Sequence, residues 1–178
     1  PVYYYWNAAW EEKPSVSIFP DWTFPQTAAG QDIRIRSFSN CDRIELSLNG
    51  KSLGVQDMPR NRYLDWHIPY APGTLTAIGY NQGREATRYA LRTPGAGAAL
   101  RLTAEVDRLA SDGEAVAPIE VAVVDAEGRV VSDAAPLIHF SVSGAGTLAG
   151  VANGDPSSHE PNVASQRAAF RGLCMVLV

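Results

Sequence analysis

Alternation of apolar and polar residues at a period of two runs through most of this chain, and it is cut into short pieces by turn dipeptides. Ile33 and Ile35 alternate with Arg34 and Arg36, and Ile44, Leu46 and Leu48 alternate with Arg43, Glu45 and Ser47. Such a pattern puts one side of each segment in a core and the other in water, as a half-buried strand requires. Asn49-Gly50 follows directly, a pair in which both residues tolerate positive φ and which therefore closes tight hairpins. Leu64, Trp66 and Ile68 form another alternating set. Pro72-Gly73 turns the chain into 74–80, and Asn81-Gln82-Gly83 turns it again into 86–92. Strands at this spacing, with turns between them, predict β-sandwiches. Helical periodicity is confined to 3–12, where Pro14 ends it.

The run Pro94-Gly95-Ala96-Gly97-Ala98-Ala99 offers no packing face and reads as a linker. Alternation restarts beyond it, with Leu100, Leu102 and Ala104 as one core set. Ile119, Val121 and Val123 form the next, and Ile138, Phe140 and Val142 a third. The expectation is an all-β chain of two immunoglobulin-like antiparallel β-sandwich domains in tandem, residues 1–94 and 95–178. The last strand, from Leu173, has no turn after it. It is expected to lie at an open edge, with the second domain truncated at its C-terminus and prone to self-association. The aromatic run Tyr3-Tyr4-Tyr5-Trp6 is expected to pack on something preceding it.

A formal charge of −4 with no basic stripe gives no footprint for nucleic acid, and no apolar run approaches the ~20 residues of a membrane span. Cys41 and Cys174 are far apart and lack neighbouring ligands, so they are expected to be free, buried thiols. No metal site and no cofactor are expected.

Several long stretches are similar to one family. Tyr3-Tyr4-Tyr5-Trp6-Asn7-Ala8-Ala9-Trp10 with Lys13-Pro14 resembles the exit of a family 2 glycoside hydrolase barrel, which makes 1–14 a barrel-exit segment. Pro20-Asp21-Trp22, Gly30-Gln31-Asp32-Ile33 and the hairpin from Ser39 to Gly54 resemble the next domain of such enzymes. The run Gly150-Val151-Ala152-Asn153-Gly154-Asp155-Pro156 and the segment Phe170-Arg171-Gly172-Leu173-Cys174 are similar to an invasin-like domain that ends many β-galactosidases of this family. The resemblance implies a parent enzyme that hydrolyses terminal β-galactosides, with the catalytic (β/α)8 barrel of the same polypeptide as this chain's partner. It favours a periplasmic or extracellular setting. Retaining glycosidases need two carboxylates across the sugar, and in this family the acid/base glutamate follows an asparagine. No Asn-Glu pair occurs here, and a barrel alone takes about 250 residues. The chain is therefore expected to be inactive alone. A carbohydrate-binding module and an adhesin-like interaction module are the alternatives.

Glu11, Glu12, Glu105, Asp107, Asp112 and Glu114 are expected at the solvated surface. Asn153, Asp155, His159 and Glu160 form the richest polar segment and could ligate Ca2+ or touch a sugar. The favoured reading is a tight turn bonding its own backbone, because one loop holds too few carboxylates for the six or more oxygens Ca2+ takes; docking against the barrel stands between the two. Trp22, in a loop-like setting before Phe24-Pro25, is the best single aromatic for a ligand or interdomain contact, although packing in the core is favoured. Trp66 is expected in the core, and His67 and His139 facing out.

Overall fold

The computed structural model describes residues 2–24 and 29–178. The chain divides into two compact units, Pro1–Thr93 and Pro94–Val178. The first opens with α1 (Val2–Trp10) and continues with β1 (Val16–Phe19), β2 (Asp32–Ser39), β3 (Arg43–Leu48), β4 (Lys51–Asp57), β5 (Leu64–Pro69), β6 (Thr74–Asn81) and β7 (Arg84–Arg92). Two antiparallel sheets result, with strand orders β1-β2-β5 and β4-β3-β6-β7. Their inner faces supply one core: Val16, Ile18, Ile35, Trp66 and Ile68 from the first meet Ile44, Leu46, Leu75 and Ala77 from the second. Period-two patterning thus yields a sandwich.

Turn chemistry fixes the register. Asn49 and Gly50 both have positive φ (52° and 79°), as the hairpin signal requires. Asn49 also ties two turns together, since its Oδ1 accepts from the Thr74 N–H at 2.8 Å and its Nδ2 donates to the Pro72 carbonyl. Gly73, at φ 139°, lies so close that a Cβ there would sit 1.8 Å from Asn49 Oδ1.

Trp22, the best aromatic candidate for a ligand or interdomain contact, is a core residue, 1% exposed, as the favoured packing reading expects. Its indole N–H donates to the Ala71 carbonyl at 3.0 Å, and its ring meets Tyr70 edge to face. Its aromatic face is therefore not available to a ligand. The loop around Trp22 folds over the end of the sandwich and plugs the core. Pro25 lies outside the described residues.

The second unit holds β8 (Ala99–Ala104), β9 (Pro118–Val124), β10 (Leu137–His139), β11 (Gly150–Ala152), β12 (Gln166–Ala168) and β13 (Leu173–Leu177). A four-stranded sheet, β11-β13-β9-β8, stacks on the pair β10-β12. Val121, Val123, Val151, Cys174 and Val176 pack against Ile138 and Ala169. Both cysteines are free and buried. Among the described residues no helix is long and apolar enough to cross a membrane.

Three expectations are corrected here. The last strand is not an edge: β13 pairs with β9 on one side and β11 on the other. Leu100, Leu102 and Ala104 do not reach a core, since every residue of β8 is exposed. And the small-residue run is not free, because Gly95 N–H donates to Asp125 Oδ2, Ala98 N–H donates to the Val124 carbonyl, and Ala99 already belongs to β8. Small residues serve there to let backbone lie against β9 and its turn; a Cβ at Gly97 would come within 3.2 Å of Val123.

Candidate functional site

The polar loop of the second unit is built around Arg167, a β12 residue only 2% exposed. Its Nη2 donates to the Val151 carbonyl at 2.9 Å and to Asn162 Oδ1, and its Nη1 reaches Ser158 Oγ and the Glu160 carbonyl. A Glu160 carboxylate oxygen lies 3.7 Å from Nη1, while its other oxygen accepts from the Ala168 N–H. A planar guanidinium with donors in a fixed fork suits a ring of carbonyls, which a lysine could not reach with one ammonium. Among the described residues, the Arg167 Nε is buried without a partner.

The predicted site residues fall on this frame. Asn153 donates to the Ala168 carbonyl and accepts from the Asp155 N–H. Asp155 Oδ1 accepts from both the hydroxyl and the N–H of Ser157, and these bonds hold its carboxyl below the usual carboxylate range. Glu160 is engaged as described, and His159 is exposed. The structure brings Asn153, Asp155 and Glu160 into one loop, where they bond backbone groups of the loop and of Ala168 and the side chains of Ser157, Ser158 and Arg167. Among the described residues no group of three or more His, Cys, Asp or Glu is placed to hold a metal ion. Arg167 escaped the sequence reading because an arginine in an alternating strand reads as outward-facing.

The second candidate is α1. At nine residues and rich in aromatics it is too short to hold itself. Tyr5 anchors it, edge to face with Phe38 of β2 and donating from its hydroxyl to the Asn61 carbonyl. Asn40 secures the exit: its Nδ2 donates to the Glu11 and Lys13 carbonyls and its Oδ1 accepts from the Ser15 N–H. The other face is bare. Tyr3, Trp6 and Trp10 recur at helical spacing and stand exposed, Trp10 at 73%. The Trp6 and Trp10 rings stack at 4.4 Å. Beside the helix C-terminus lies a cleft of about 550 Å3 lined by Glu11, Glu12, Asn40, Asp42 and Arg60 among others. Its Asp42 accepts from the Gln82 N–H, so that carboxylate, like Asn40, holds the fold.

The other dismissed carboxylates, Glu105, Asp107, Asp112 and Glu114, are exposed; Asp112 caps its own turn by accepting from the Glu114 and Ala115 N–H groups. Trp66 is buried and donates to Ser37 Oγ, while His67 faces out to Asp32 and His139 is exposed.

An all-β chain of tandem sandwich units with one exposed aromatic helix is thus the class to be placed. Residues 100–178 match the family described as glycoside hydrolase family 2 C-terminal domain 5, and residues 30–87 match a domain of unknown function, DUF4982. The chain is 35% identical over 180 residues to the β-galactosidase BoGH2A of Bacteroides ovatus, covering 99% of this chain and 21% of that protein. It is 31% identical over 162 residues to a β-glucuronidase of Formosa agariphila, covering 88% and 16%. A solved structure of a glycosyl hydrolase family 2 member from Bacteroides cellulosilyticus superposes with a TM-score of 0.93 at 32% identity, over 99% of this chain and 27% of that one. A β-glycosidase from Bacteroides vulgatus gives 0.85 at 31%, over 99% and 23%. The chain belongs to the C-terminal region of glycoside hydrolase family 2. It spans about a fifth of the length of the B. ovatus relative.

Proposed function

We propose that this chain is the supporting, non-catalytic part of a family 2 glycoside hydrolase, that it braces the catalytic barrel of the same polypeptide through α1, and that the whole enzyme hydrolyses terminal β-galactosides. The outward stripe of Tyr3, Trp6 and Trp10 carries the reading. Three large aromatics in water on a helix anchored by its opposite face form a surface that gains by being covered, at roughly 25 cal/mol per Å2. The likeness to the B. ovatus β-galactosidase, running over 99% of the chain, supports the galactoside reading. In the full-length enzyme, replacing Trp6 and Trp10 together by Ala should lower the melting temperature while leaving KM for nitrophenyl β-galactoside unchanged. An unchanged melting temperature would count against bracing, and faster turnover of the glucuronide would count against the substrate. Carbohydrate binding by the helix itself is less well supported, because Trp6 and Trp10 each use one ring face on the other.

A further inference from the structure

β8 presents an anomaly that the family assignment does not absorb. Its register to β9 sets Leu100 opposite Val123 and Leu102 opposite Val121. Residues directly opposite in an antiparallel ladder share a face. Val121 and Val123 are buried, so both leucines stand on the inner, apolar face of the sheet, yet they are 47% and 58% exposed. The cover is too narrow to reach them. It is two strands wide and sits toward the far end, where Arg167 of β12 bonds the Val151 carbonyl of β11.

The edge beside these leucines is also unguarded. Sheet edges are normally blunted by charges, proline, bulges or brevity. In the first unit, β7 carries Arg84, Glu85, Arg88 and Arg92, and β4 pairs through a register shift and ends in Lys51 and Asp57. At the other end of its own sheet, β11 has three residues. β8 has six residues, an unbroken ladder to β9, no proline, and one charge. That charge, Arg101, is turned back over its own sheet, donating to the Gly128 carbonyl at 2.9 Å.

We propose that β8 is a self-pairing edge: two copies of this chain join β8 to β8, antiparallel about a two-fold axis, into one continuous sheet. Such a contact is self-complementary, as a two-fold interface must be. A two-fold axis normal to the sheet keeps both inner faces on one side, which leaves two central registers. Centring on Arg101 would set two guanidinium groups opposite each other, and like charges directly opposite are destabilising. Centring on Leu102 sets Leu102 against Leu102, Leu100 against Ala104 and Arg101 against Thr103. The second register joins the exposed leucines across the axis and keeps the cations apart, so it is the one formed.

The test uses the 178-residue chain itself. Sedimentation velocity over a concentration series should show a monomer–dimer equilibrium, and Leu102→Lys should abolish the dimer. Leu102 is exposed, so its replacement leaves the core intact. Independently, Leu102→Cys treated with copper phenanthroline should form an interchain disulfide, since opposed Cα atoms in such a ladder lie about 4.5–5.5 Å apart, within disulfide range. Cys41 and Cys174 are buried and contribute little background. Arg101→Cys should cross-link at least about tenfold more slowly, being paired with Thr103 of the second copy. A monomer at every concentration would overturn the proposal, as would a dimer that survives Leu102→Lys or faster cross-linking through position 101.

Discussion

Asp125 shows how one buried side chain can organise a turn. Its carboxylate accepts from the N–H groups of Gly95, Glu127 and Arg129 and from Arg129 Nε, at 2.7–3.0 Å. Burial disfavours its charge, but the Gly95 amide and the Arg129 guanidinium and amide outweigh that and hold its carboxyl far below the usual carboxylate range. A carboxyl depressed in the folded state stabilises above its unfolded pKa of about 3.9 and ceases to do so as pH falls through its folded value. Wild-type stability should therefore fall as pH drops below about 4, and Asp125→Asn should flatten that part of the profile while lowering stability at neutral pH. Denaturant titrations across the acid range check this; a profile unchanged by the substitution would count against it. Arg167 is the counterpart in the other loop. Arg167→Lys cannot satisfy the same ring of oxygens and should cost about 3 kcal/mol, with Arg167→Ala no better.

At the scale of elements, Asn49 and Gly73 are coupled. An added methyl at 73 meets Asn49 and must also adopt φ 139°. Gly73→Ala should cost about 1–2 kcal/mol. In a cycle with Asn49→Ala the two losses should fall short of additive by roughly 1 kcal/mol, because removing Asn49 removes the clash but leaves the backbone strain. Strands and tight turns of this kind were legible in the sequence, since alternation and Asn-Gly act locally. Trp22 was legible in part: core packing is the favoured reading, but the ligand or interdomain alternative stays open in the sequence because its burial depends on how a loop closes over the sandwich. The place of β13 was not legible: a strand that ends a sequence reads as an edge, whereas pairing with both β9 and β11 is decided by sheet order. Leu100 and Leu102 have a core pattern and the correct face, yet lack a cover, which depends on the width of the opposite sheet. At the candidate site the same division holds. The turn-forming residues Asn153 and Asp155 were visible by type, and the guanidinium that gathers their loop was not.

For the whole molecule, we propose that two sandwiches and an aromatic helix serve a family 2 glycoside hydrolase without carrying its chemistry. Glu105, Asp107, Asp112 and Glu114 are exposed, and in the polar loop Asp155 accepts from Ser157 and Glu160 accepts from the Ala168 N–H beside Arg167. The most direct measurement is an assay of the purified 178-residue chain on nitrophenyl β-galactoside and nitrophenyl β-glucuronide. The account predicts no turnover above the buffer blank with either substrate. Turnover that is lost on replacing Glu11 or Glu160 by Gln would contradict it.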